Sequence, residues 1–158
     1  MVVYTTNMDG KLPSPEQVFR QVPCFCGVLL VAARSVTRLY NEELRVSGIE
    51  VTQHAILMML KGLGPTPLGA LGERLAVDKT TISRNVKVLE RHRWVTTDRG
   101  EDARERVVSL TSAGAAALDK ARPFWDRAQK RMRAALASGE FDQYRGRFPD
   151  LALAAMSA

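Results

Sequence analysis

Residues 78–111 read DKTTISRNVKVLERHRWVTTDRGEDARERVVSLT, and a change of rhythm inside this stretch decides the fold. In the first half Ile82, Val86 and Leu89 recur at i, i+4 and i+7, one face of a helix that Asp78 is placed to cap. In the second half VTTD and RVVSL are short extended runs joined by a charged loop containing Gly100, which predicts a β-hairpin. At 100° per residue Thr80, Arg84, Lys87 and Arg91 fall within about 60° of one another, opposite the apolar residues. The predicted helix is buried on one side and cationic on the other.

A polar helix face is either a solvated surface or a surface with a ligand. Entry into a DNA major groove needs short hydroxyl side chains near the helix start, where bases come closest, and cations for phosphates or guanine edges. Thr80, Thr81 and Ser83 supply the first; Arg84 and Lys87 supply the second. The hairpin adds weight, because Arg99, Arg104 and Arg106 around its turn can reach an adjacent minor groove or its phosphates.

Upstream, Thr66-Pro67 reads as an N-cap plus a first-turn proline opening a short helix with Leu68, Leu71 and Leu75 inward. With the helix after Asp78 it makes a helix-turn-helix. Before it, Thr52 is read as the cap of a helix through Ile56, Met59, Leu60 and Leu63 that Gly64-Pro65 breaks. The apolar residues from Cys24 to about Ser47 recur at steps of three and four, the stripe of a long amphipathic helix closed by Gly48. Downstream, Thr111 begins a helix to about Ala137 with a kink expected at Pro123, and a final segment from Glu140 to Ala155 is expected to be interrupted at Pro149. The expected architecture is mainly α with a small β-wing. Residues 1–15 form a flexible arm and 16–158 a single domain, with the winged helix-turn-helix over about 52–111 between long helices over about 20–47 and 112–156.

Composition bounds the partners. The 158 residues carry a net charge of +6 at a pI near 9.7, which favours a polyanion. The basicity is not piled onto the suspicious helix, since residues 78–106 hold eight Lys/Arg against six Asp/Glu while residues 119–147 hold eight against four. The N-terminus lacks the pattern of a secretory signal, and the longest apolar run, Cys24 to Ala33, is too short to span a bilayer, so a cytoplasmic protein without a membrane partner is expected. No P-loop, dinucleotide glycine pattern or nucleophile elbow occurs, so neither an enzyme nor a cofactor is expected. His54 and His92 are isolated, which argues against a metal site.

With these elements placed, residues 78–114 resemble the DNA-binding core of the MarR family of bacterial transcriptional regulators. The specific part is the wing, where Asp102, Arg104, Val108, Leu110 and Thr111 match the family's D-x-R, apolar strand and L-T pattern. The resemblance implies a homodimer whose first and last helices interlock and whose two winged helices read a pseudo-palindromic operator in double-stranded DNA. It also implies repression relieved by a small-molecule effector or by an oxidant. It places Thr80, Thr81, Ser83, Arg84 and Lys87 in the recognition helix, Arg99 and Arg104 in the wing, and Asp102 as a wing brace. Arg93 departs from the family's frequent glycine; if that backbone is left-handed, arginine costs roughly 1 kcal/mol there.

The run CGVLLVAARSVT resembles the first helix of the organic-hydroperoxide regulators of the same family, with Cys26 on the reactive-cysteine position and Cys24 off it. Three readings stay open for the pair: packed residues beside Phe25 in a dimer core, redox-active thiols, or a soft-metal or arsenic site.

Overall fold

The computed structural model describes residues 14–21, 24–100, 102 and 105–157. In chain order the elements are α1 (Pro15–Gln21), α2 (Phe25–Leu44), a 3-10 turn (Arg45–Ser47), α3 (Val51–Leu63), β1 (Thr66–Pro67), α4 (Leu68–Arg74), α5 (Lys79–Arg91), β2 (Val95–Arg99), β3 (Arg106–Leu110), α6 (Ser112–Ala134) and α7 (Glu140–Ser157). This is the expected mainly α architecture with a small β-wing. The backbone divides into two units, residues 1–39 and 40–158.

In the first unit α1 starts at a reciprocal cap in which the Ser14 amide donates to the Gln17 side chain and the Gln17 amide to the Ser14 hydroxyl. Ser14 and Pro15 thus belong to a helix start, and residues 1–13 of the expected arm lie outside the described residues. Phe19, Phe25, Val28, Leu30 and Val36 are all exposed on α1 and α2.

The second unit holds the core. Leu44, Ile49, Ile56, Leu57, Leu60, Leu71, Ile82, Val86, Leu89 and Val108 are fully buried, drawn from the end of α2, the segment after it, α3, α4, α5 and β3. Each such side chain contributes roughly 1.5–3 kcal/mol by leaving water. The three α5 members were legible from their spacing alone.

Three local expectations need correction. The cap of α3 is Glu50, whose amide donates to the Gln53 side chain, and Thr52 already lies in the first turn. Thr66-Pro67 does not open α4: it is a two-residue strand paired antiparallel with β3, Thr66 opposite Val108, so the wing sheet has three strands in the order β1-β3-β2. Thr66 is buried and its hydroxyl donates to the Gly64 carbonyl, while Pro67, lacking an amide hydrogen, sits on an edge strand where none is needed. Two residues are too few to show a period. Finally, α7 runs through Pro149 as α6 runs through Pro123. Pro149 lies on an exposed flank, so the helical carbonyl it leaves without a donor can turn to water.

Arg93, in the turn between α5 and β2, has φ = 59°, the left-handed region. Arg93→Gly is expected to stabilise the fold by about 1 kcal/mol. Urea unfolding checks this; a midpoint that falls would show that the arginine side chain has a compensating contact.

Candidate nucleic-acid interface

The face in question is built from α5 outward. Asp78 caps the helix: its Oδ1 accepts from the Thr81 amide at 2.9 Å and its Oδ2 from the Thr81 hydroxyl at 2.6 Å. These bonds, the hydroxyl's first, hold the Asp78 carboxyl below the usual carboxylate range, so the cap stays charged at neutral pH. Ile82, Val86 and Leu89 anchor the other side in the core. Lys79, Thr80, Ser83, Arg84, Lys87 and Arg91 then line one shallow open depression along the helix.

Of the expected residues, Thr80, Arg84 and Lys87 are exposed and Ser83 is half-buried on this face. Among the described residues no ion pair engages Arg84 or Lys87. Thr81 is half-buried and its hydroxyl is committed to the cap, which sequence spacing could not reveal. Arg91 joins the face as its position on the helix predicts; Lys79 and Glu90 were not singled out from the sequence.

The wing leaves α5 through a riveted turn. Thr111 donates its amide to the Trp94 carbonyl at 3.0 Å and its hydroxyl to the Arg93 carbonyl at 2.7 Å, and the same hydroxyl accepts from the Gly114 amide at 3.0 Å. One residue therefore caps α6 and ties it to the exit of α5. In the sheet Val95 pairs with Leu110 and Arg99 with Arg106. The turn closes with the Gly100 amide donating to the Glu105 carbonyl at 3.0 Å and the Glu105 amide to the Asp102 carbonyl at 2.8 Å. Arg99 is exposed at the strand end. Arg104 lies outside the described residues. Arg106, the third wing arginine, is exposed and meets Glu90 of α5 at 3.6 Å.

Cys24 and Cys26 are exposed free thiols at the start of α2, and Phe25 between them is 66% exposed, so within the protomer they are not packed residues. Cys24 precedes the helix and its carbonyl accepts from the Val28 amide at 3.1 Å. Among the described residues no group of three or more His, Cys, Asp or Glu could hold a metal ion, and no helix is long and apolar enough to cross a membrane.

His54 sits away from this face, buried in α3 and stacked on Trp125 of α6 with ring centroids 6.0 Å apart. Burial pushes its pKa down, favouring the neutral ring. The unfolded chain then takes up the proton first, so this contribution to stability is intact above about pH 6.5 and is lost as pH falls from there toward the depressed native value. Thermal melts between pH 7.5 and 5.5 are expected to show a decline that His54→Gln flattens; an equal decline in the variant would assign it to other groups.

A helix-turn-helix whose second helix presents a free cationic face, followed by a braced β-wing, defines a winged helix-turn-helix protein. The MarR family model matches residues 47–105. Over 80 residues the chain is 35% identical to the HTH-type regulator YwoH of Bacillus subtilis, spanning 51% of this chain and 58% of that protein. Over 97 residues it is 30% identical to the organic hydroperoxide resistance transcriptional regulator of the same organism, spanning 61% of this chain and 66% of that one. The chain thus spans about three fifths of the length of these curated relatives. The transcriptional regulator MosR of Mycobacterium tuberculosis, solved in complex with DNA, superposes with a TM-score of 0.75 at 32% identity over 85% of this chain and 97% of that one. MarR of Escherichia coli shares the fold, at a TM-score of 0.68 and 20% identity over 83% of this chain and 98% of that one. The chain belongs to the MarR family of transcriptional regulators.

Proposed function

We propose that the protein is a sequence-specific DNA-binding regulator that acts as a homodimeric repressor released by a small-molecule effector. The observation that carries this reading is the exposed Thr80, Arg84 and Lys87 face of α5 beside a wing that presents Arg99. Short hydroxyls and unpaired cations on a core-anchored helix suit base edges and phosphates together, whereas coating DNA without preference needs cations alone. Ser83 and Arg104 complete the proposed contact set, and Asp102 braces the wing.

Dimerisation is supported by apolar surface that the protomer leaves in water. The helices of the first unit expose Phe19, Phe25, Val28 and Leu30; separately, α7 buries no residue and exposes Tyr144, Phe148, Leu153 and Met156. An effector site is supported by the cleft between α3 and α6, where His54 and Trp125 form the floor and Lys61, Arg122 and Asp126 the rim.

The test is fluorescence anisotropy of the purified protein on duplex DNA from upstream of its own gene against shuffled DNA, with light scattering for the oligomer. Tight binding to the first only, by a dimer, supports the proposal. Equal affinity for both would reduce the protein to a non-specific DNA coat, and no binding to either would leave a winged helix used for protein contacts.

A second reading is favoured by the exposed thiols and by the likeness to the hydroperoxide resistance regulator. The Cys26 thiolate would attack the distal oxygen of an organic hydroperoxide, giving a sulfenic acid and the alcohol, and a second thiol would condense with it to a disulfide and water. That thiol would belong to a small molecule or to the other subunit, giving a mixed or intersubunit disulfide. Loss of DNA binding on hydroperoxide treatment, recovered by reductant and absent in Cys26→Ser, selects this reading; unchanged binding discards it.

A further inference from the structure

The two cross-strand arginines of the wing, Arg99 and Arg106, are direct partners in the sheet, an arrangement that costs stability because like charges face each other. Their surroundings differ. Arg106 meets the Glu90 carboxylate at 3.6 Å, while Arg99 makes no ion pair among the described residues.

Glu90 itself is misplaced for a DNA-binding helix. It lies in the last turn of α5, where the helix dipole disfavours a negative charge, and it lines the same depression as Arg84, Lys87 and Arg91, the face that would meet DNA. A carboxylate there opposes binding unless a cation neutralises it. Arg106 is that cation, reaching across from β3.

We infer that Glu90 is a specificity-determining residue: it withdraws Arg106 from the DNA backbone and leaves Arg99 as the phosphate contact of this strand pair. This rests on the DNA-binding reading above. A freed Arg106 would add an attraction that ignores sequence, since phosphates are the same on every site, so pairing it lowers affinity for random DNA more than for the operator.

The measurement is the slope of log affinity against log salt on upstream and random duplexes. Each phosphate contact contributes about 0.9 to that slope. Arg99→Gln is expected to reduce it by about 0.9. Glu90→Gln is expected to steepen it by about 0.9 and to raise affinity for random DNA several-fold, a gain that disappears in the double variant Glu90→Gln/Arg106→Gln. All the changed positions are exposed or half-buried, and thermal melts confirm folding of each variant. The inference is overturned if Arg99→Gln leaves the slope unchanged, if Glu90→Gln leaves slope and random affinity unchanged, or if its gain persists in the double variant, which would assign it to simple repulsion by Glu90. Wild-type protein that shows no salt-dependent DNA binding refutes the DNA-binding reading, and the inference with it.

Discussion

Gly114→Ala is expected to lower the unfolding free energy by about 3 kcal/mol, although helix propensity alone points the other way. Gly114 lies in the first turn of α6, and replacing a helical glycine with alanine ordinarily gains up to about 1 kcal/mol. Here a Cβ would overlap the Trp94 carbonyl oxygen and approach Leu110 Cδ1 to 2.7 Å. The carbonyl cannot step back cheaply, because it also accepts the Thr111 amide at 3.0 Å, and Thr111 is held by its hydroxyl bonds to Arg93 and Gly114. Overpacking against fixed backbone outweighs the entropic gain. Urea denaturation of the two proteins decides it, and a midpoint equal to or above wild type would mean that α6 can shift away from the α5 exit.

Arg84→Ala carries the other large effect. Arg84 is exposed, lies on the α5 face one turn from Thr80, and has no ion pair among the described residues to compete for it. If it reads a guanine edge, its loss costs about 1–3 kcal/mol on the matched site, roughly fivefold to 150-fold in affinity, while random DNA loses only the share of one charge. The operator-to-random ratio should therefore collapse. Removing an exposed side chain from a helix that Ile82, Val86 and Leu89 anchor leaves the fold intact, so melts should coincide with wild type. Equal losses on both duplexes would move Arg84 from base reading to phosphate contact.

How far α5 could be read in advance follows from its chemistry. Asp78 caps through its nearest neighbours, and the apolar triplet repeats at the helical period; both are local and both are visible in residues 78–89. The hairpin is equally local, two extended runs around Gly100. What escaped notice depends on residues distant in sequence. Thr66-Pro67 becomes a strand only because Val107 and Val108 arrive beside it, 40 and 42 residues later in the chain than their partners. Gly114 looks like an ordinary helical glycine until the Trp94 carbonyl is set against it.

The candidate site divides in the same way. Thr80, Arg84, Lys87 and Arg91 could be placed on one face by angle alone, because a helix converts spacing into direction. Thr81 shares their chemistry and neighbourhood, yet its hydroxyl turns back to Asp78, a choice between two acceptors that spacing leaves open. Arg99 and Arg106 are indistinguishable as sequence, two arginines flanking a glycine turn. The fold separates them by bringing Glu90 within 3.6 Å of one and not the other.

By itself the sequence determined the helical periods, the cap at Asp78, the hairpin and the cationic face of α5, since each depends on residues within a few positions of one another. Only the tertiary structure decided the third strand, the rivet at Thr111 and which cations remain free, because each of these depends on the approach of segments that are far apart along the chain.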